Sequence, residues 1–210
     1  TIVVGAPNCN NRPMAKPPNT PRKRRQPRKV TAQSLHNAAL YYLERYASSA
    51  DNLRRVLMRR VRRSALVHDT DPEEGARLID ELVTRFEAAG LLDDRAYAAA
   101  RVTSLRRRGA SSRAIAIGLR QKGVAAPDIA AALAENEAEN ETEDLEFIAA
   151  CRLAQRRRLG PFRAPDKVGD FRQRDLAALA RAGFAYDIAR RVVDNDAAVD
   201  LAALIARANL

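Results

Sequence analysis

Tryptophan is missing from the 210-residue chain, and aromatic residues of all kinds make up only 5% of it. So few wide, flat side chains leave a β-sandwich core without filling, and the single β-branched run is the opening Thr1-Ile2-Val3-Val4. Cysteine is nearly absent too. Cys9 and Cys151 belong to no C-x-x-C pair, which excludes a disulfide framework and a cysteine zinc site. Cys151 shares a helical stripe with Phe147, Ala150 and Ala154 and reads as a small buried residue. The two histidines, His36 and His68, lack metal-ligand spacing, and no phosphate loop, G-x-G-x-x-G, G-x-S-x-G or H-E-x-x-H occurs. No apolar run is long enough for a membrane span, and the opening TIVVGAPN is too short and polar for a signal peptide. These absences predict a cytoplasmic protein without cofactor, metal or catalytic centre. Met14, just before a basic run, is a candidate start.

Alanine, leucine and arginine dominate what is present, a balance that suits helices. Net charge is +11, and its distribution is uneven. Residues 1–33 hold eight lysines or arginines, no acid and six of the ten prolines. Such a segment cannot bury enough apolar surface to order itself, so a disordered basic tail is expected, attracted to polyanions without regard to sequence. The remaining chain carries 29 bases against 26 acids.

Beyond the tail, apolar periodicity predicts helices joined by short turns. The first runs over about 34–47 with Leu35, Ala39, Tyr42, Leu43 and Tyr46 on one face. Ser48 or Ser49 caps a second, whose face is Leu53, Val56, Leu57 and Val61. Asp71 and Pro72 open a third, burying Leu78, Ile79, Leu82, Val83 and Phe86. Further helices start near Asp93, at 112, at Pro127, after the acidic stretch 135–146, and in RQRDLAALARAG, AYDIARRVVD and a last piece with Leu201, Leu204 and Ile205. Gly90, Gly109, Gly123, Gly160 and Gly183 fall where helices should stop in a left-handed residue. The acidic stretch reads as a self-repelling hinge.

The segments repeat. RYASSADNLRRVLMRRV, LRRRGASSRAIAIGLRQKGV and RRRLGPFR…QRDLAALARAGF each pair a basic helix end with a turn and a short helix, and APDIAAAL answers AYDIARRV. The period of about 50 to 60 residues predicts an all-α fold of three tandem three-helix repeats in an elongated, curved body. The divisions fall at 34–90, 91–140 and 141–210, after the 1–33 tail.

Candidate binding residues are the arginines left outside these apolar stripes. Arg55, Arg59 and Arg62 lie opposite the stripe of the second helix, flanked by Arg54 and Arg63. Arg106, Arg107, Arg108 and Arg156, Arg157, Arg158 end equivalent helices, while Arg113, Arg120 and Lys122 belong to the short helix between them. Guanidinium groups take phosphate or carboxylate in a bidentate fork, so nucleic acid and acidic protein both qualify as partners. Residues 94–123 also fit a helix-turn-helix reader of duplex DNA, although Ala114, Ala116 and Gly118 offer no donors to base edges. A helical-repeat adaptor without a nucleic-acid role is the third reading.

Three segments, ALYYLERYASSADNLRRVLMRRV, GLLDDRAYAAARVTSLRRRGASSRAIAIGLRQKGV and LAALARAGFAYDIARRVV, resemble the bacterial regulatory protein RecX family in order and spacing. The resemblance covers about residues 34–195. It implies three tandem three-helix repeats in a curved, monomeric molecule. It also implies an inhibitor of RecA recombinase filaments on single-stranded DNA, bound in the filament groove and suppressing ATP hydrolysis, extension and strand exchange. Sequence-independent DNA contact accompanies this, and no catalytic residues carry over. This sequence departs from the family pattern in lacking a Lys-Gly close in the first repeat and in carrying LGPFRAPDKVGDF in the third.

Overall fold

Capping residues set the helix boundaries in the computed structural model, which describes residues 27–139, 144–163 and 171–207. The expected disorder of the tail falls, for residues 1–26, outside that range. For residues 27–33 it is corrected, since Val30 packs on the first core with its N–H on the Ser64 hydroxyl at 3.1 Å and Ala32 is already helical. Thr31 and Ser34 form a reciprocal capping box that starts α1 (Ala32–Leu43) earlier than periodicity predicts. The helix also stops at Leu43, so Tyr46 leaves the apolar face and is 59% exposed. Ser49 caps α2 (Ala50–Ala65), and Asp71 with Pro72 opens α3 (Pro72–Ala88), as the sequence predicts. The order continues with α4 (Asp94–Arg107), α5 (Ser112–Gln121), α6 (Ala126–Ala138), α7 (Leu145–Arg157), a 3-10 turn (Gly160–Phe162), α8 (Arg172–Arg181), α9 (Tyr186–Val193) and α10 (Ala198–Arg207). No strand occurs among the described residues.

Apolar burial divides into three clusters. Leu35, Leu53, Leu57, Val61, Leu82 and Val83 centre the first, between α1, α2 and α3. Val102, Ile115, Leu119 and Ile129 centre the second, between α4, α5 and α6. The third joins α7 to α10 around Cys151, Leu179 and Val192. Cys151 is fully buried, and desolvation pushes its thiol up to about 12 despite the nearby Arg191. The fold is thus three tandem helical units, each with its own small core.

One joint, used twice, links them. The buried Ser49 hydroxyl accepts the Asn52 N–H inside α2 and donates to the Lys122 carbonyl at the end of α5. The buried Ser111 hydroxyl accepts the Ala114 N–H inside α5 and donates to the Ala182 carbonyl at the end of α8, 2.7 Å away. The next N–H in each helix finds a carboxylate from the following unit: Ala50 reaches Asp94 (2.8 Å), and Ser112 reaches Glu146 (3.1 Å). α8, α5 and α2 therefore stand end to end, with each N-terminus on the next C-terminus and their dipoles aligned. Serine suits the joint because a hydroxyl both donates and accepts, whereas a carboxylate would repel the facing carbonyl. Gly123 and Gly183, at φ +80° and +93°, follow the two carbonyls. A Cβ on either would overlap the abutting helix start, at Asp51 or at Ser111.

All five glycines predicted as helix stops have positive φ. Gly160 differs in one respect: α7 is closed two residues earlier by Arg158, itself left-handed at φ +55°. The acidic hinge is corrected. Its residues 135–138 continue α6, Glu135 pairs with Arg95, Asp144 caps α7, and Glu146 sits in the second joint. Only residues 140–143 of it lie outside the described range.

Candidate filament and nucleic-acid interface

α2 turns Leu53, Leu57, Val61 and Ser64 inward, which leaves six arginines on the remaining two-thirds of its circumference. On one flank Arg54, Arg55, Arg59 and Arg62 line a groove of about 440 Å³ against α3, floored by Met58, Ala76 and Ile79. The helices approach closely here because Gly75 of α3 lets Val61 pack where a Cβ would stand. Among the described residues Asp80 is the one acid in the groove walls, and it takes the Arg54 Nε–H at 3.0 Å. Arg59 and Arg62 are exposed and form no ion pair with a described residue. An arginine rim over an apolar floor matches an acidic, partly apolar protein surface.

The other sequence-predicted residues separate into groups. Arg55 does double duty, holding Asp51 (Nε 3.0 Å) and donating to the Gln121 carbonyl (2.8 Å) across the first joint. Lys122 stands there too, with Nζ 3.4 Å from Asn52, while Arg120, two residues earlier, is exposed. At the second joint Arg156 donates to the Arg108 carbonyl at 2.7 Å, which brings two of the basic helix ends together. Arg107, Arg157 and Arg158 are exposed, and Arg113 is exposed beside Gly183. Arg63 belongs to the opposite flank of α2, where it lines a second cleft with Arg60.

Arg106 is a correction. It is 4% exposed and is no part of a basic face. Its guanidinium pairs with Glu146, donates to the Ser112 hydroxyl and lies 3.6 Å from Glu137. The reason is helical phase, because Arg106 follows the fully buried Ala98 and Val102 at four-residue steps. Sequence reading missed Arg28, Lys29, Arg60 and Tyr41 as a group. They meet across three segments, and no spacing along the chain announces that.

A tandem array of small helical units, end-capped one upon another and rich in outward arginine, defines a helical-repeat protein. The sequence model described as "RecX, second three-helix domain" matches residues 93–133. The regulatory protein RecX of Myxococcus xanthus is 46% identical over 175 residues, covering 83% of this chain and 91% of its own length. The regulatory protein RecX of Agrobacterium fabrum is 34% identical over 157 residues, covering 75% and 80% respectively. The chain belongs to the regulatory protein RecX family. A crystal structure of regulatory protein RecX shares the fold, with a TM-score of 0.55 at 22% identity over 78% of this chain and 72% of that one. No helix among the described residues is long and apolar enough to cross a membrane.

Proposed function

We propose that this protein binds RecA recombinase filaments on single-stranded DNA and inhibits their ATPase, extension and recombination activity. It acts as a cytoplasmic monomer whose DNA contacts are independent of sequence. Family membership across most of the chain carries this reading, and the arginine-rimmed groove between α2 and α3 supports it with a surface suited to an acidic protein partner. A helix-turn-helix reader is disfavoured by the joint. The first turn of α5, which would have to enter the major groove, is held by Ala182 and Glu146.

The test is the single-stranded-DNA-dependent ATPase of RecA, measured with and without this protein. Inhibition at stoichiometric or excess protein is expected, and an unchanged rate at excess rejects the proposal. Arg59→Glu/Arg62→Glu is expected to weaken inhibition by about tenfold or more, since it reverses two unpaired charges in the groove. Arg55 is left intact in that variant because it also holds the first joint. Full inhibition by the double variant would move the protein contact away from this groove.

A further inference from the structure

The second cleft, about 550 Å³, lies on the other flank of α2, between α1, α2 and the residues leading into α1. Arg28, Lys29, Arg60 and Arg63 line it, and no acid does among the described residues. None of the four forms an ion pair with a described residue. Leu35 and Ala38 contribute an apolar base, and Tyr41 stands in the wall with 57% of its surface exposed. The Arg45 guanidinium packs over the Tyr41 ring at 4.1 Å, which steadies it and adds a fifth positive charge nearby.

An exposed tyrosine beside four unpaired cations is an arrangement for phosphate and an unstacked base together. The neighbouring groove differs in both respects, since Asp80 sits in its wall and no aromatic lines it among the described residues. We infer that the Tyr41 cleft seats single-stranded DNA, with backbone phosphate among Arg28, Lys29, Arg60 and Arg63 and a base stacked on Tyr41. The inference deepens the proposed function and rests on it for the identity of the strand. It assigns the two flanks of one helix to different ligands, protein on the α3 side and nucleotide on the α1 side. Duplex DNA keeps its bases stacked and so gains only the charge contacts.

The absence of tryptophan makes the experiment direct, because the five tyrosines provide the intrinsic emission. An oligothymidylate of about ten nucleotides, titrated into the full-length protein, is expected to quench that emission. With a labelled strand, Tyr41→Leu should weaken binding about tenfold, while Tyr41→Phe, which keeps a ring, stays within about twofold. An abasic strand of equal length should bind the unaltered protein as weakly as thymidylate binds Tyr41→Leu. Arg60→Gln/Arg63→Gln should lower the slope of log affinity against log salt by about 1.4, two phosphate contacts' worth. Tyr41 is exposed, so an unchanged thermal melt is expected to accompany the loss. Equal binding of abasic and thymidylate strands, or a Tyr41→Leu variant that binds thymidylate normally, overturns the inference. No recombinase is present in the titration, so its failure leaves the ATPase result standing, and the converse holds.

Discussion

Gly109→Ala is expected to destabilise the protein by about 2–5 kcal/mol, against about 1–2 kcal/mol for Gly90→Ala. Both glycines close a helix in the left-handed region, at φ +76° and +69°. Any L side chain meets the same backbone penalty at each. The surroundings differ. A Cβ on Gly90 has no atom within 4 Å, so the penalty stands alone. A Cβ on Gly109 stands 2.7 Å from the Leu153 nitrogen and 2.8 Å from the Ala149 carbonyl oxygen. Those are backbone atoms of α7, which cannot rotate aside, so α7 must back away from α4 and the second joint opens with it. Urea denaturation followed by circular dichroism compares the two. The Gly109 variant should also show an early transition for the third unit, whose core is separate. Equal losses in the two variants would mean that the α4–α7 contact contributes nothing to holding the units together.

The architecture was legible where its causes are local. Leu53, Leu57 and Val61 mark the buried stripe of α2 by spacing alone, and all lie at 0% exposure. The glycine stops were readable because the demand for a left-handed residue is written at the residue itself. Errors began where the partner is distant in sequence. Glu135 and Glu146 read as repelling neighbours in an acidic run, yet each is neutralised by an arginine about forty residues back, Arg95 and Arg106. The three arginines 106 to 108 look alike in composition, and only the phase set by Ala98 and Val102 separates the inward one. Half of the candidate groove was visible as the basic side of α2. Ala76, Ile79 and Asp80 come from α3, and their place in it depends on how the two helices meet.

The described outer ends of the row formed by α8, α5 and α2 differ from its joints. Leu66 occupies on α2 the place that Lys122 and Ala182 hold on α5 and α8. It is 83% exposed, and no glycine follows it. At the other end Phe171 precedes α8 and offers no hydroxyl to a further helix terminus. Each outer end thus lacks, among the described residues, the serine and glycine of the inner joints, and Arg55, Arg59, Arg60, Arg62 and Arg63 of α2 are exposed.

Glu146→Leu carries the other large expected effect, a loss of about 3–5 kcal/mol. The carboxylate holds three groups in the second joint: the buried Arg106 guanidinium, the Ser112 hydroxyl at 2.7 Å and the Ser112 N–H at 3.1 Å. Removing it strands a cation whose side chain is 5% exposed, with Glu137, at 3.6 Å, the one acid left to answer it among the described residues, and Glu137 is itself 61% exposed to water. It also orphans one N–H at the start of α5. Arg106→Leu/Glu146→Leu removes the stranded charge along with the pair, so the double variant is expected to be more stable than Glu146→Leu alone. Thermal or urea melts of the two variants test this ordering. A double variant less stable than Glu146→Leu would show that the Arg106 side chain holds the joint by its own packing and its bond to Ser112, and that charge compensation is not what Glu146 supplies.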